Sequence, residues 1–193
     1  MSTLDTGPSA VKAAARATAR ARRRSAPRPD GTLIAERSWD LLQQVPGPRR
    51  VTAYASYGTE PPTVDLCSML AERGFEVLLP RVADDRIEWV LADESMEVSA
   101  MGIAEPTGPV LDLEPVRALL IPALAVTPAG DRLGKGGGFY DRVLAGLSDP
   151  RPIVAAIVDD GDVIDDVPVE PHDCRVDYVI TPTRVIDCAT RRG

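Results

Sequence analysis

A glycine-rich segment between an apolar run and an amphipathic run constrains the fold of this chain most strongly. The apolar run, residues 118–126, predicts a buried strand, and the amphipathic run places apolar residues at helical spacing from Tyr140 onward. Between them, residues 127–142 read TPAGDRLGKGGGFYDR. The sequence therefore predicts a strand, a glycine loop and the start of a helix. In open α/β sheets, ligands bind where such a loop follows a parallel strand.

The residues of this loop predict a phosphate-sized anion site. Glycines let backbone N–H groups approach an anion closely, and a helix N-terminus adds partial positive charge. Arg132 and Lys135 add a planar fork and a mobile ammonium. A Walker loop is excluded because no Ser or Thr follows Lys135, and the dinucleotide fingerprint because Phe139 stands where it needs glycine. The alternative is a flexible glycine turn, with Asp141 favoured only by the helix dipole.

Length and composition favour one domain and argue against two classes of partner, nucleic acid and membrane. We predict a single domain over residues 1–193, with residues 1–9 as a flexible tail. The net charge of -7 argues against nucleic-acid binding, and the apolar runs are too short to cross a membrane. Cys67, Cys174 and Cys188 are widely separated and form no C-x-x-C pair. They fit a reduced cytoplasm rather than a disulfide framework or a zinc site.

Predicted strands that alternate with predicted helices indicate a three-layer α/β/α domain with a mostly parallel open sheet and an N-terminal helical pair. The first helix, residues 10–25, carries a basic stripe, and Asp30 is the predicted N-cap of a second helix that ends at Gln44. Further strands are predicted at residues 50–56, 75–79, 87–91, 152–158 and 178–181, with 87–91 as an antiparallel neighbour.

Several motifs together resemble the 5-formyltetrahydrofolate cyclo-ligase family, the methenyltetrahydrofolate synthetases. They are Pro122, RLGKGGGFYDR at 132–142, the pair Lys12 and Arg16, Glu60 shortly before a Thr, MGIAEP at 101–106 and HDCRVD at 172–177. The resemblance implies ATP-dependent cyclisation of 5-formyltetrahydrofolate to 5,10-methenyltetrahydrofolate through a phosphorylated formyl group. ADP and phosphate would be released, with Mg²⁺ as the metal. We expect a cytoplasmic monomer whose partners are the folate and ATP, without nucleic acid or membrane.

The resemblance also implies sets of site residues. Those for ATP are Lys12, Arg16, Arg132, Leu133, Gly134, Lys135, Gly136, Gly137, Gly138, Phe139 and Tyr140. Those for the folate are Ala55, Glu60, Met101, Lys135, Gly136, Gly137, Gly138 and Phe139. Asp141 and Asp173 are the implied Mg²⁺ ligands, while Tyr140, Arg132 and Lys135 are the implied catalytic residues. A carboxylate such as that of Glu60 suits the paired N–H donors of a pterin edge.

Three of these positions depart from the family pattern and keep a second hypothesis open. Relatives carry a larger apolar residue at Ala55 and a tyrosine at Phe139, and some carry an aromatic at Met101. A nucleotide- or folate-binding regulator of the same fold, without turnover, is therefore the alternative. A sugar-phosphate isomerase or CoA-transferase relative would not explain the glycine loop together with two Mg²⁺ ligands. His172, the only histidine, is expected to be structural because no Ser or Cys nucleophile motif accompanies it.

Overall fold

A seven-stranded sheet organises the computed structural model, which describes residues 7–92, 95–98 and 104–191. From one edge to the other its strands are β11 (Val185–Asp187), β10 (Tyr178–Ile180), β9 (Ile153–Ile157), β6 (Ala118–Pro122), β1 (Arg50–Thr52), β2 (Glu76–Ala83) and β3 (Arg86–Leu91). The five central strands are parallel, and the edge strands β3 and β11 pair antiparallel to their neighbours. The predicted mostly parallel sheet and the antiparallel strand near 87–91 are confirmed.

The helices of the described residues are α1 (Pro8–Ser25), α2 (Gly31–Gln44), α3 (Val64–Glu72) and α4 (Phe139–Ala145). Helix α2 begins as predicted, because the Asp30 carboxylate accepts a hydrogen bond from the Thr32 N–H at 2.9 Å. Helix α1 begins at Pro8, within the segment predicted as a tail, since proline suits a first helical turn. Residues 1–6 lie outside the described part of the chain.

The helices cover both faces of the sheet, which gives the predicted three layers. Side chains alternate between faces along a strand. Leu120 of β6 belongs to one core with Leu42 of α2 and Leu70 of α3. Its neighbour Ile121 belongs to a second core with Leu144 of α4 on the opposite face. Each fully buried side chain of this kind contributes about 1.5–3 kcal/mol to the free energy of unfolding.

The predicted strand over residues 118–126 is interrupted, because Pro122 has no N–H for the sheet ladder. Beyond it, β7 (Ala125–Val126) forms a short hairpin with β8 (Arg132–Leu133). Helix α1 belongs to this region, since its Ala19 clusters with Leu133. The two N-terminal helices therefore cover different parts of the molecule, α1 packing on the hairpin and α2 with α3 on the sheet.

The strand order reverses between β1 and β6. The chain runs from β1 through α3 to β2 on one side, and from β6 through α4 to β9 on the other. Loops at the carboxyl ends of two such strands diverge and leave a crevice, the usual ligand site of open α/β sheets. A separate antiparallel pair, β4 (Met96–Val98) with β5 (Ala104–Pro106), completes the described strands. None of the described helices combines the length and apolar character that a membrane crossing requires.

Candidate active site

A cavity of about 500 Å³ opens at this crevice between α1, the β1–α3 loop and the glycine loop. It is lined by most of the predicted site residues: Lys12, Arg16, Ala55, Glu60, Arg132, Gly134, Lys135, Gly136, Gly137, Gly138, Phe139, Tyr140, Asp141 and Asp173. The side chain of Leu133 instead packs in the core between α1 and the hairpin. Met101 lies outside the described residues. The structure therefore brings together residues that are more than a hundred positions apart in the chain.

The glycine loop has a backbone that other residues rarely adopt. Gly136 and Gly138 have φ angles of 109° and 64°, in the left-handed region that a Cβ disfavours. Within the described residues, the N–H groups of Gly136 and Gly137 donate to no protein acceptor. Helix α1 is bonded to the loop, because Arg16 Nε donates to Gly134 O at 3.0 Å. The loop thus presents donors to the cavity, as an anion site requires.

Lys12 is a buried cation of the cavity, with 8% of its side chain exposed. Its ammonium donates to Asp173 Oδ1 and Oδ2 at 2.8 and 2.6 Å, and lies 2.5 Å from Glu170 Oε2. Burial acts to lower the pKa of Lys12, but the hydrogen bonds to Asp173 and Glu170 outweigh it and the pKa is raised. Burial likewise acts to raise the pKa of Asp173, and the bond from Lys12 outweighs it, so this pKa is lowered. Both groups are therefore charged at neutral pH.

Arg132 forms a second buried ion pair on the floor of the cavity. Its Nη2 donates to Asp141 Oδ1 at 2.5 Å, and only 3% of its side chain is exposed. Its Nε is buried and has no hydrogen-bond partner among the described residues. Asp141 occupies the third position of α4, where a helix dipole also favours an acid. The pair fixes the guanidinium beside the glycine loop.

Glu60 and Lys135 form a third pair, at the end of β1. The residue Glu60 is 3% exposed, and its Oε1 lies 2.5 Å from the Lys135 ammonium. Its Oε2 accepts from the Tyr57 N–H at 2.9 Å. The Lys135 ammonium also lies 3.6 Å from the centre of the Tyr57 ring, within cation–π distance. A residue predicted to bind folate is therefore paired with one predicted to bind both ligands.

Two tyrosine hydroxyls border the cavity. Burial, reinforced by the nearby Glu60 charge, raises the pKa of Tyr140 above its usual range. The same two causes raise the pKa of Tyr54, whose hydroxyl donates to Pro61 O at 3.3 Å. Both phenols are therefore neutral over the physiological pH range, and Tyr140 is suited to donate a hydrogen bond.

One wall of the cavity is apolar. Pro80 and Val82 of β2 and Ile87 of β3 line it together with Ala55 and Phe139. The guanidinium carbon of Arg142 lies 5.0 Å from the centre of the Phe139 ring and supports it from the side. The cavity thus combines a charged floor with an apolar wall, which suits a ligand with a flat ring and an anionic part.

Among the lining residues that sequence reasoning missed, two contact the predicted cations of the cavity. Glu170 shares the ammonium of Lys12 with Asp173, and its position three residues before that aspartate was the available signal. Tyr57 contacts Lys135 through its ring, and no local pattern in the sequence indicates this contact. The side chain of His172, expected to be structural, is 71% exposed, with Nε2 3.8 Å from Asp173 Oδ1.

The carboxylates near Lys12 are the candidate cation ligands. Ligand atoms of Glu170, His172 and Asp173 lie within 4.8 Å of one another. Asp141, the other predicted Mg²⁺ ligand, lines the same cavity but belongs to the ion pair with Arg132. Carboxylate oxygens are the ligands that Mg²⁺ prefers. The donor set fits the ion, and the pairing of Asp141 with Asp173 stays a prediction.

An open α/β sheet with a charged cavity at its topological switch point defines a class, the α/β proteins that bind small molecules there. A profile of the 5-formyltetrahydrofolate cyclo-ligase family matches residues 8–182. The 5-formyltetrahydrofolate cyclo-ligase of Mycolicibacterium smegmatis is 37% identical over 176 residues, which are 85% of this chain and 90% of that protein. The cyclo-ligase of Escherichia coli K12 is 29% identical over 143 residues, 70% of this chain and 79% of that one.

The fold has the same relatives. The solution structure of the Aquifex aeolicus 5,10-methenyltetrahydrofolate synthetase superimposes with a TM-score of 0.72 at 24% identity, over 95% of this chain and 94% of that one. The synthetase of Mycoplasma pneumoniae gives a TM-score of 0.70 at 20% identity, over 88% of this chain and 97% of that one. The chain therefore belongs to the 5-formyltetrahydrofolate cyclo-ligase family, a family of enzymes.

Proposed function

We propose that this chain catalyses the ATP- and Mg²⁺-dependent cyclisation of 5-formyltetrahydrofolate to 5,10-methenyltetrahydrofolate, with release of ADP and phosphate. The supporting observation is that both kinds of recognition group line one cavity. The glycine loop, Lys12, Arg16 and Arg132 offer donors for a phosphate chain, and Glu60 offers a carboxylate for a pterin. The names of the relatives agree with this activity. A cytoplasmic monomer remains the expectation from the sequence.

The chemistry requires an activated formyl oxygen, because that oxygen is a poor leaving group. In the proposed first step, the formyl oxygen attacks the γ-phosphorus, the bond to the β-phosphate oxygen breaks and ADP is formed. N10 of the folate then attacks the formyl carbon, the carbon–oxygen bond breaks, and phosphate leaves as the N10 proton is lost. No protein nucleophile takes part in either step. The protein contributes position and charge, which account for most of the catalysis of phosphoryl transfer.

The side chains of the cavity have separate roles in this proposal. Arg132 is fixed by Asp141 and offers a rigid guanidinium to the phosphate chain. The N–H groups of Gly136 and Gly137 face the same anion. Tyr140 is held neutral by its raised pKa and donates to the formyl or phosphate oxygen. The apolar wall excludes water and packs against the pterin.

Mg²⁺ fits the acidic side of the cavity. Asp141 and Asp173 would hold it, as the sequence predicts, and Glu170 is the carboxylate that clusters with Asp173. When bound, the ion would neutralise charge on the β- and γ-phosphates. Asp173 is ionised at neutral pH because its pKa is lowered, so it is ready to act as a ligand.

The test is an assay of the purified protein with 5-formyltetrahydrofolate, ATP and Mg²⁺. We expect the methenyl chromophore to form with one ADP per product, and to require both ATP and Mg²⁺. The variant Arg24→Met, at an exposed position of α1, is the matched control and should turn over normally. Measurable binding of ATP and folate without chromophore would reject the proposed activity and favour the regulator.

A further inference from the structure

Both carboxylate oxygens of Glu60 have a partner in the structure. Glu60 Oε2 is used by the Tyr57 N–H, and Oε1 by the Lys135 ammonium at 2.5 Å. The residue Glu60 is 3% exposed, so little water can replace this cation beside the carboxylate. A buried carboxylate that loses its partner is strongly destabilised. Lys135 therefore cannot leave Glu60 unless another donor takes its place.

In the proposed function, each member of this pair is needed by a different ligand. The folate needs the Glu60 oxygens for the N–H donors of its pterin edge, while the phosphate chain of ATP needs the Lys135 ammonium. Both demands are met together when the two ligands bind together, because the pterin donors replace the ammonium on Glu60. Binding of ATP alone would instead leave Glu60 buried and unpaired if Lys135 moved to the phosphates.

We propose that Lys135 exchanges between Glu60 and the phosphate chain, and that this exchange couples the binding of folate and ATP. The inference rests on the proposed function. Tyr57 is the positioning residue of the exchange, because its ring lies 3.6 Å from the ammonium. When the pterin displaces the ammonium, the ring keeps it inside the cavity. Coupling of this kind is reciprocal: each ligand tightens the binding of the other by the same factor.

The first experiment measures the affinity for a non-hydrolysable ATP analogue with Mg²⁺ by calorimetry, with and without 5-formyltetrahydrofolate. In the wild type we expect saturating folate to tighten analogue binding about tenfold, within the usual range of coupling between sites. Glu60→Gln removes the charge that holds Lys135. Without folate, this variant should therefore bind the analogue about five- to tenfold more tightly than the wild type, and folate should add no further gain.

The matched control is Glu105→Gln. Glu105 lines the same cavity, and its carboxylate accepts from the Val82 N–H at 3.4 Å rather than holding Lys135. This variant should keep the wild-type affinity for the analogue without folate. If Glu60→Gln also keeps that affinity, or binds the analogue more weakly, the exchange is refuted.

The second experiment tests Tyr57 with two variants. Tyr57→Phe keeps the ring face and should keep the coupling. Tyr57→Leu removes the ring, so the displaced ammonium is lost to solvent, and the coupling factor should fall about three- to tenfold, as expected for a partly desolvated cation–π contact. Analogue affinity without folate should stay unchanged in both variants, because Glu60 still holds Lys135. Equal coupling in the leucine and phenylalanine variants would overturn the role of Tyr57.

Turnover separates this inference from the proposed function. A wild type that forms the methenyl chromophore but shows no coupling refutes the exchange and leaves the activity standing. A wild type that binds both ligands with coupling but forms no chromophore refutes the activity and supports the exchange. The two failures are therefore distinguishable in one set of protein samples.

Discussion

Replacement of Lys12 by methionine tests the charge balance of the cavity most directly. Lys12→Met keeps an unbranched side chain but removes the ammonium, which lies 2.6 Å from Asp173 Oδ2 and 2.5 Å from Glu170 Oε2. Only 8% of the lysine side chain and 14% of the Asp173 side chain are exposed. The variant therefore leaves Asp173 with little solvent and no cation, next to Glu170, whose side chain is 29% exposed.

The expected loss follows from the strength of charged hydrogen bonds. A hydrogen bond to a charged group contributes about 1.5–3 kcal/mol to the free energy of unfolding. For a chain of this size, 1 kcal/mol shifts the melting temperature by about 2–4 °C. We therefore expect the melting temperature of Lys12→Met to fall by about 3–12 °C at pH 7. Arg24→Met, on an exposed part of the same helix, should stay within about 0.5 kcal/mol of the wild type.

The pH dependence identifies the cause of the loss. The pKa of Asp173 is lowered in the folded protein, so its contribution is present above its unfolded pKa of about 3.9 and is lost as the pH falls through the lowered folded pKa. The pKa of Lys12 is raised, so its contribution is present below about pH 10 and is lost as the pH rises through the folded pKa. The difference between wild type and variant should be largest between these limits.

Thermal unfolding followed by circular dichroism, at several pH values from 3 to 9, is the assay. Mg²⁺ gives an independent measurement, because the two carboxylates no longer hold an ammonium in the variant. We expect added Mg²⁺ to raise the melting temperature of Lys12→Met more than that of the wild type. An unchanged melting temperature at pH 7 would refute the reasoning. So would a fall of the same size at pH 3 and pH 7, because a loss that ignores the titration of Asp173 would come from packing alone.

Three further predictions concern the other groups of the chain. Arg132→Ala should raise the KM for ATP about tenfold, because it removes charged hydrogen bonds of about 1.5–3 kcal/mol from a buried site; an unchanged KM would remove Arg132 from the ATP site. Asp141→Asn and Asp173→Asn should each lower turnover and raise the Mg²⁺ requirement. The loss of turnover in the double variant should be smaller than the sum of the two single losses, and additive losses would argue against a shared ion. Burial raises the pKa of Cys67 to about 11, so its alkylation by iodoacetamide at pH 8 should be much slower than in the unfolded chain, a difference that mass spectrometry can measure.

The sequence predicts those parts of the fold that depend on local patterns. Asp30 is an N-cap because its side chain reaches a donor two residues away, and that requirement is visible in the sequence. The run 118–126 was predicted as one strand although Pro122, which has no N–H for the ladder, lies within it. What the sequence does not show is the new partner of the residues beyond it, where the Leu124 N–H donates to Leu133 O in the hairpin. Whether an apolar run stays in one sheet is thus decided by partners elsewhere in the chain.

The candidate site was likewise predicted only in those parts that depend on local sequence. The glycine loop and its cations were predicted as an anion site from their own composition, and the structure brings them together. The ion pairs were not predicted, because local patterns do not show which side chains meet: Lys12 and Asp173 are 161 positions apart, and Arg132 and Asp141 are 9 apart. A search for local motifs assigns a cation to a phosphate and an acid to a metal. It does not reveal that the two neutralise each other.

The pairing of opposite charges in the cavity affects which combination of ligands binds favourably. Each of three predicted ATP-binding cations is paired with an acid predicted for Mg²⁺ or folate: Lys12 with Asp173, Arg132 with Asp141 and Lys135 with Glu60. A phosphate chain that took these cations alone would leave three carboxylates unpaired, with side-chain exposures of only 4%, 14% and 23% for Glu60, Asp173 and Asp141. The complete ligand set avoids this, because each acid that loses its cation gains a new partner. Mg²⁺ would take the place of the cation at two of the acids, and the pterin N–H groups would do so at the third. The arrangement therefore favours the complete set of ligands over ATP alone.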